Sequence, residues 1–148
     1  PIQILRMYNI LATRGTYYKF NLFMKEEDFL GNIINKYEPI LIDKYELNND
    51  YLKYIYQGMI EVTTFEGPTY EQGTAFPAFK DFPITVAGKT GTAQVDREKH
   101  SHSWFAGFLP ANNPHYSIVV FIEYGGMGSD TAAPVARKIL DDLIINYY

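Results

Sequence analysis

Hydrophobic and polar positions along the chain predict three amphipathic helices. In residues 1–14 the apolar positions recur at helical spacing, and Gly15 follows where a helix would end. A second helix is predicted from Asp50, as its N-cap, to about residue 62, and a third over residues 132–145. The expected apolar faces are Ile2, Leu5, Met7, Tyr8, Ile10 and Leu11 in the first helix, Leu52, Ile55, Tyr56, Met59 and Ile60 in the second, and Val135, Ile139, Leu140, Leu143 and Ile144 in the third.

Strand patterns occupy the region before the last helix. Residues 84–95, 103–109 and 116–124 contain β-branched and aromatic side chains that favour strands. The last two of these segments are separated by Pro110-Ala111-Asn112-Asn113-Pro114, which is dense in turn-forming residues. We therefore expect them to form an antiparallel hairpin.

The remaining segments give weaker signals. Residues 16–23 predict a short strand or extended segment, and residues 25–49 show no clear pattern. Gly73-Thr74-Ala75 opens a segment that predicts one or two helical turns, and residues 125–130 predict a loop.

Composition narrows the class of protein. The 148 residues suffice for one domain, and 47% hydrophobic with 20% charged residues is typical of globular chains. A net charge of −4 argues against nucleic-acid binding, and the absence of cysteine excludes thiol catalysis and cysteine zinc sites. The longest strongly apolar run, residues 118–122, is too short to cross a bilayer. Because the chain opens inside a predicted helix, we expect it to be a piece of a longer protein.

One segment carries candidate chemistry, and two unrelated functions compete for it. Gly88-Lys89-Thr90 could end a phosphate-binding loop, but that loop needs a glycine five residues earlier, where Pro83 stands. A phosphate-binding loop must also be followed by a helix, whereas the residues after Thr90 continue a strand pattern. The alternative is Lys89-Thr90-Gly91, the third signature of serine penicillin-recognising enzymes. Such a triplet arises by chance in about one chain of this length in fifteen, so its surroundings must decide.

The surroundings resemble class B penicillin-binding proteins. Residues 86–94, Val-Ala-Gly-Lys-Thr-Gly-Thr-Ala-Gln, and residues 102–110, His-Ser-Trp-Phe-Ala-Gly-Phe-Leu-Pro, look like the corresponding stretches of that family. Residues 132–140 are similar to its last helix, and Gly73-Thr74-Ala75 matches the element before the third motif. The closing helix and Glu123-Tyr124-Gly125-Gly126 are most like penicillin-binding protein 2 of the elongation machinery.

The resemblance implies the fold and the activity. The expected fold is α+β, the C-terminal part of the penicillin-binding and serine β-lactamase-like fold, with an antiparallel sheet packed by helices. Residues 1–148 would form this one portion of a transpeptidase domain, with no second domain. The implied function is part of a peptidoglycan D,D-transpeptidase that cross-links stem peptides through a serine acyl-enzyme and is inhibited by β-lactams. No cofactor is implied.

The resemblance also implies roles for four residues. Lys89 would place positive charge near the nucleophile and the substrate carboxylate, and the hydroxyls of Thr90 and Thr92 would hydrogen-bond that carboxylate. Gly91 would let substrate approach the strand closely. The backbone N–H of Thr92 would be one oxyanion donor. No metal is expected.

Partners and location follow from the same resemblance. The partners would be the peptidoglycan stem peptide, β-lactams, the rest of the transpeptidase domain, a glycan synthase and elongation scaffold proteins, with no nucleic acid. The location would be the periplasmic side of the bacterial inner membrane, with an anchor upstream.

Two of the three family motifs are absent. None of the serines at 101, 103, 117 and 129 is followed by lysine three residues later or by asparagine two residues later, so Ser-x-x-Lys and Ser-x-Asn are missing. We therefore expect this chain alone to be inactive. We also expect low stability, because the resemblance implies that the strand over residues 116–124 would lack the second neighbour that the family supplies from before the serine motif. The alternatives are a non-catalytic scaffold or binding module of the same fold, and a serine carboxypeptidase or β-lactamase relative.

Overall fold

The computed structural model describes residues 1–95 and 100–147, and a three-stranded antiparallel sheet forms the centre of the fold. Its strands are β5 (Ala87–Ala93), β6 (His102–Leu109) and β7 (Tyr116–Ile122), in the order β5-β6-β7. The register pairs Lys89 with Ala106 and Phe108 with Ser117. The predicted hairpin is thus confirmed.

Four helices and four short strands complete the described part of the chain. In chain order they are α1 (Ile2–Ala12), β1 (Thr16–Tyr18), β2 (Lys25–Glu27), β3 (Ile33–Lys36), β4 (Leu41–Lys44), α2 (Asn49–Thr64), α3 (Phe76–Phe79) and α4 (Ala133–Tyr147). A π-helical turn, Gly128–Ala132, leads into α4 where the sequence predicts a loop over residues 125–130. No helix in the described ranges is long and apolar enough to span a membrane.

The sheet separates two hydrophobic cores because successive side chains of a strand point to opposite faces. Phe105 and Leu109 are fully buried on one face, against α3 and α4. Phe108 is fully buried on the other face, where it packs on Tyr56 of α2 with ring centroids 5.4 Å apart. Both faces of β6 are therefore buried, which explains its nearly continuous apolar sequence.

The first helix ends as its sequence predicts, but its predicted apolar face is wrong at Ile2 and Met7, which are exposed, whereas Tyr8 and Leu11 pack in the second core. Gly15 adopts φ +108° and donates its N–H to the carbonyl of Ile10 at 2.7 Å. A Cβ at Gly15 would lie 2.1 Å from the Tyr45 carbonyl oxygen, so both the backbone angle and the space require glycine.

The second helix starts earlier than predicted. Its N-cap is Asn48 rather than Asp50, because the Asn48 side chain accepts the N–H groups of Asp50 and Tyr51. The prediction that Ile55 faces the core is also wrong, since that side chain is 46% exposed. The other apolar positions of the predicted face pack in the second core: Leu52, Tyr56, Met59 and Ile60.

The predicted face of the closing helix is confirmed at Leu140 and Leu143, which pack in the first core, and is wrong at Val135 and Ile139. Val135 and Ile139 are exposed, whereas Ala136 and Leu140 are buried in the first core. The small Ala136 lets the helix lie close to the sheet. The helical period of the sequence predicts that one side of the helix is buried, but it does not distinguish the side centred on Ala136 and Leu140 from the neighbouring side that contains Val135 and Ile139.

Residues 16–44 form two small two-stranded ribbons. Thr16 of β1 pairs with Lys44 of β4, and Lys25 of β2 pairs with Lys36 of β3, both in antiparallel fashion. The second ribbon turns at Asp28, whose carboxylate accepts the N–H groups of Leu30 and Asn32. Strand β1 thus confirms the predicted strand or extended segment over residues 16–23 for its first three residues.

Candidate functional site

The Lys-Thr-Gly-Thr segment lies on β5, an outer strand of the central sheet. Its side chains alternate, so Lys89 lies on the α1 and α2 side of the sheet and Thr90 and Thr92 lie on the other. In the described sheet β5 has β6 on one side only, so its second edge has no strand partner. A strand continues past Thr90, as the argument against a phosphate-binding loop requires.

Lys89 is exposed and its ammonium group is held close to the strand. Its Nζ donates to the carbonyl oxygen of Thr90 at 2.8 Å. The positive charge is therefore placed beside the strand edge.

The two threonine hydroxyls each contact a group from elsewhere in the chain. Thr90 Oγ1 lies 2.8 Å from the hydroxyl oxygen of Thr74. Thr92 Oγ1 accepts the backbone N–H of Gly128 at 3.2 Å. Thr90 and Thr92 share one face, so these two contacts hold neighbouring hydroxyls along one side of the strand.

Gly91 and Gly128 allow the backbone to come close at this point. A Cβ at Gly128 would lie 2.4 Å from the Gly91 carbonyl oxygen and 2.6 Å from that of Trp104. A Cβ at Gly91 would lie 3.2 Å from Cβ of Trp104. The π-helical turn thus packs against β5 and β6 only because position 128 carries no side chain.

A cavity of about 250 Å³ lies beside the segment on the Lys89 side of the sheet. Its lining is largely apolar and comes from α1, β5 and β6: Ile4, Met7, Tyr8, Lys89, Trp104 and Ala106. Burial raises the pKa of the Tyr8 phenol, so this group stays neutral at the pH of any ordinary assay.

Two aromatic residues of β6 have local roles. Trp104 packs on Phe121 with ring centroids 4.4 Å apart. His102 Nδ1 accepts the N–H of Tyr124 at 2.9 Å. No group of three His, Asp or Glu side chains that could hold a metal ion occurs in residues 1–95 and 100–147.

The structure thus brings the four predicted site residues together on one strand and adds two that sequence reasoning missed. Thr74 had a signal, because Gly73-Thr74-Ala75 stands out as a motif before the strand. The N–H of Gly128 had no such sequence signal, because every residue except proline has a backbone N–H and this one lies 36 residues from Thr92 in the chain.

Comparison with known proteins decides the family. The family model described as "Penicillin binding protein transpeptidase domain" matches residues 1–141. The chain belongs to this family. Among curated relatives, the peptidoglycan D,D-transpeptidase MrdA of Haemophilus influenzae is 31% identical over 95% of this chain and 23% of its own length. The chain therefore spans about a quarter of the length of the curated relatives it matches.

Solved structures of penicillin-binding proteins share the fold. Pseudomonas aeruginosa PBP2, in complex with WCK 5153, is 30% identical with a TM-score of 0.68, over 95% of this chain and 28% of that one. Helicobacter pylori PBP2, in a complex with MreC, is 29% identical with a TM-score of 0.69, over 100% of this chain and 25% of that one. The resemblance to class B penicillin-binding proteins, and to PBP2 among them, is confirmed, as is the fold class.

Proposed function

We propose that this chain is the C-terminal portion of a transpeptidase domain and supplies one wall of its active site. The intact protein would be a serine D,D-transpeptidase that cross-links peptidoglycan stem peptides and is acylated by β-lactams. The single observation that carries the proposal is the Lys89-Thr90-Gly91-Thr92 segment on an outer strand of the described sheet, whose second edge has no strand partner. A strand edge can pair with an extended peptide through backbone hydrogen bonds.

The geometry of the edge supports the roles of the four residues. In an antiparallel strand the N–H and C=O of one residue point the same way, and every second residue repeats that direction. The Thr85 carbonyl accepts the N–H of Ala111, on the side of β6, whereas the Val86 carbonyl accepts the Thr63 hydroxyl of α2. By the same alternation the N–H groups of Thr90 and Thr92 lie on the edge away from β6. Thr92 N–H would then be an oxyanion donor, with the second donor from the nucleophile's own amide.

The substrate carboxylate would lie along the same edge. The hydroxyls of Thr90 and Thr92 would donate hydrogen bonds to it, and Lys89 would supply positive charge. Gly91 would let the peptide or a β-lactam approach without meeting a side chain. Neither Ser-x-x-Lys nor Ser-x-Asn occurs in this chain, so the nucleophile would come from the rest of the domain.

The partners and location proposed for the intact protein follow its relatives. Binding of β-lactams is supported by the description of the matching family, and an elongation scaffold partner by the Helicobacter pylori complex with MreC. We extend this to a glycan synthase partner and to a site on the periplasmic side of the inner membrane.

The test is labelling with a fluorescent penicillin. The intact protein should be labelled, residues 1–148 alone should not, and Lys89→Ala in the intact protein should slow labelling by roughly 100-fold. Lys138→Ala is a suitable control, because Lys138 is an exposed lysine on α4. Labelling of residues 1–148 alone would contradict the proposed division of the site. A complete gene without Ser-x-x-Lys and Ser-x-Asn upstream would instead favour a non-catalytic scaffold.

A further inference from the structure

Thr74 lies in a segment that is fixed to the end of α2. On its two sides, Gly73 donates its N–H to the carbonyl of Phe65 at 2.9 Å, and Ala75 donates to that of Val62 at 2.9 Å. The Val62 carbonyl belongs to the last turn of α2, where carbonyls have no partner within the helix, and Phe65 is the residue that caps its C-terminus. The backbone around Thr74 is therefore held on both sides.

The end of α2 is in turn fixed to the strand that carries the candidate site. The hydroxyl of Thr63 donates to the carbonyl of Val86, directly before β5, at 2.6 Å, and Thr63 is 2% exposed. The 2.8 Å separation of the Thr74 and Thr90 hydroxyl oxygens is thus set by backbone anchored at both ends.

The effect of the contact between Thr74 and Thr90 depends on which hydroxyl donates the hydrogen bond. A hydroxyl has one hydrogen to donate and two lone pairs, whereas an ionised carboxylate only accepts. When Thr90 donates its hydrogen to a bound carboxylate, it has none left for Thr74, so in that contact Thr90 must accept and Thr74 must donate. The resulting chain runs from Thr74 to Thr90 to the anion, and each hydrogen bond polarises the next.

Thr92 has the same arrangement with a different donor. Its oxygen accepts the backbone N–H of Gly128, which cannot act as an acceptor, so the hydrogen of Thr92 is left available for donation. Both hydroxyls on this face of β5 therefore contact a group that can donate a hydrogen bond to them.

A cleft adjoins both Thr74 and Lys89. Its volume is about 420 Å³, and it is also bordered by Glu61 and Glu71. The two glutamates oppose the charge of Lys89, so its ammonium alone attracts a carboxylate more weakly, and directed hydroxyl donors on β5 would add to that attraction.

We propose that Thr74 is a positioning residue that orients the Thr90 hydroxyl as a donor and so contributes to selectivity for carboxylate-bearing substrates. The inference rests on the proposed function, and it assigns to Thr74 a role through Thr90 rather than contact with the reacting atoms. A carboxylate keeps its charge throughout acyl transfer, so the contribution is made equally to the bound state and the transition state.

The experiment compares Thr74→Val, Thr74→Ser and the control Thr64→Val in the intact protein. Thr64 is a suitable control because it is an exposed threonine whose hydroxyl bonds within α2, to Ile60 at 2.9 Å. Benzylpenicillin and its uncharged methyl ester are the probes, and stopped-flow measurements separate the pre-covalent dissociation constant from the acylation rate constant.

Thr74→Val should raise the dissociation constant of benzylpenicillin roughly tenfold, with the acylation rate constant within about threefold of wild type. The same variant should leave the reaction of the methyl ester unchanged. Thr74→Ser should restore binding of the acid, and Thr64→Val should match wild type.

Three outcomes would overturn the inference: unchanged binding of the acid by Thr74→Val, an equal loss for acid and ester, or failure of Thr74→Ser to restore binding. In each of these the wild-type protein is still acylated, so the proposed function stands. A wild-type protein that neither probe acylates would overturn the proposed function itself, and the inference with it.

Discussion

Replacing Thr63 by valine tests how the candidate strand is anchored. The Thr63 hydroxyl oxygen lies 2.6 Å from the Val86 carbonyl oxygen, and both residues are buried, at 2% and 1% exposure. Valine keeps the shape of the side chain but leaves that carbonyl without its partner.

The expected cost follows from two effects. A buried carbonyl left unsatisfied costs about 1–3 kcal/mol. A methyl carbon also needs a separation of about 3.3 Å or more from a carbonyl oxygen, so α2 must move away from β5 by roughly 0.7 Å. We therefore expect Thr63→Val to lower the free energy of unfolding by about 2–3 kcal/mol.

The assay is urea-induced unfolding of the intact protein, followed by far-UV circular dichroism. Thr64→Val is the matched control, because the neighbouring threonine is exposed and bonds only within its own helix; we expect a change of less than about 0.5 kcal/mol. Equal effects of the two substitutions would refute the reasoning, since they would show that the contact with Val86 does not anchor the helix.

Three further predictions concern the core, the sheet and the small ribbon. Leu140→Ala should destabilise the intact protein by about 2–5 kcal/mol in the same unfolding assay, because Leu140 is 2% exposed in the first core; a loss below 1 kcal/mol would show that the site is not tightly packed. Gly88→Ala should destabilise it by about 1–3 kcal/mol, because the added Cβ would lie 2.6 Å from the ring of Phe105, and an unchanged unfolding midpoint would count against that close packing. The pKa of Asp28 is lowered, chiefly by hydrogen bonds from Asn32, so its contribution to the ribbon is complete above the ordinary aspartate pKa of about 3.9 and is lost as pH falls through the lower folded-state value. The protection factor of the Leu30 amide, which is the ratio of its intrinsic to its observed exchange rate measured by NMR, should therefore fall only in that acidic range, and a fall near neutral pH would contradict the assignment.

The sequence by itself determined the elements whose signal is local. The amphipathic period of α1 and α2, the turn residues between β6 and β7, and the position of Gly15 after α1 each follow from a few neighbouring residues. The Lys89-Thr90-Gly91-Thr92 segment could likewise be assigned to a strand and to its family, because its four residues are consecutive and can be recognised without knowing the fold.

Tertiary structure alone decided contacts between residues that are distant in the chain. A periodic stripe shows that a helix buries one side, but the close approach permitted by Ala136 decided that Leu140 is buried and Ile139 is not. The contact of Thr74 with Thr90 spans 16 residues, and that of Gly128 with Thr92 spans 36. Such contacts depend on how helices and strands pack. The sequence shows that a hydroxyl or a backbone N–H is present, but it does not show which group will be its hydrogen-bond partner in the fold.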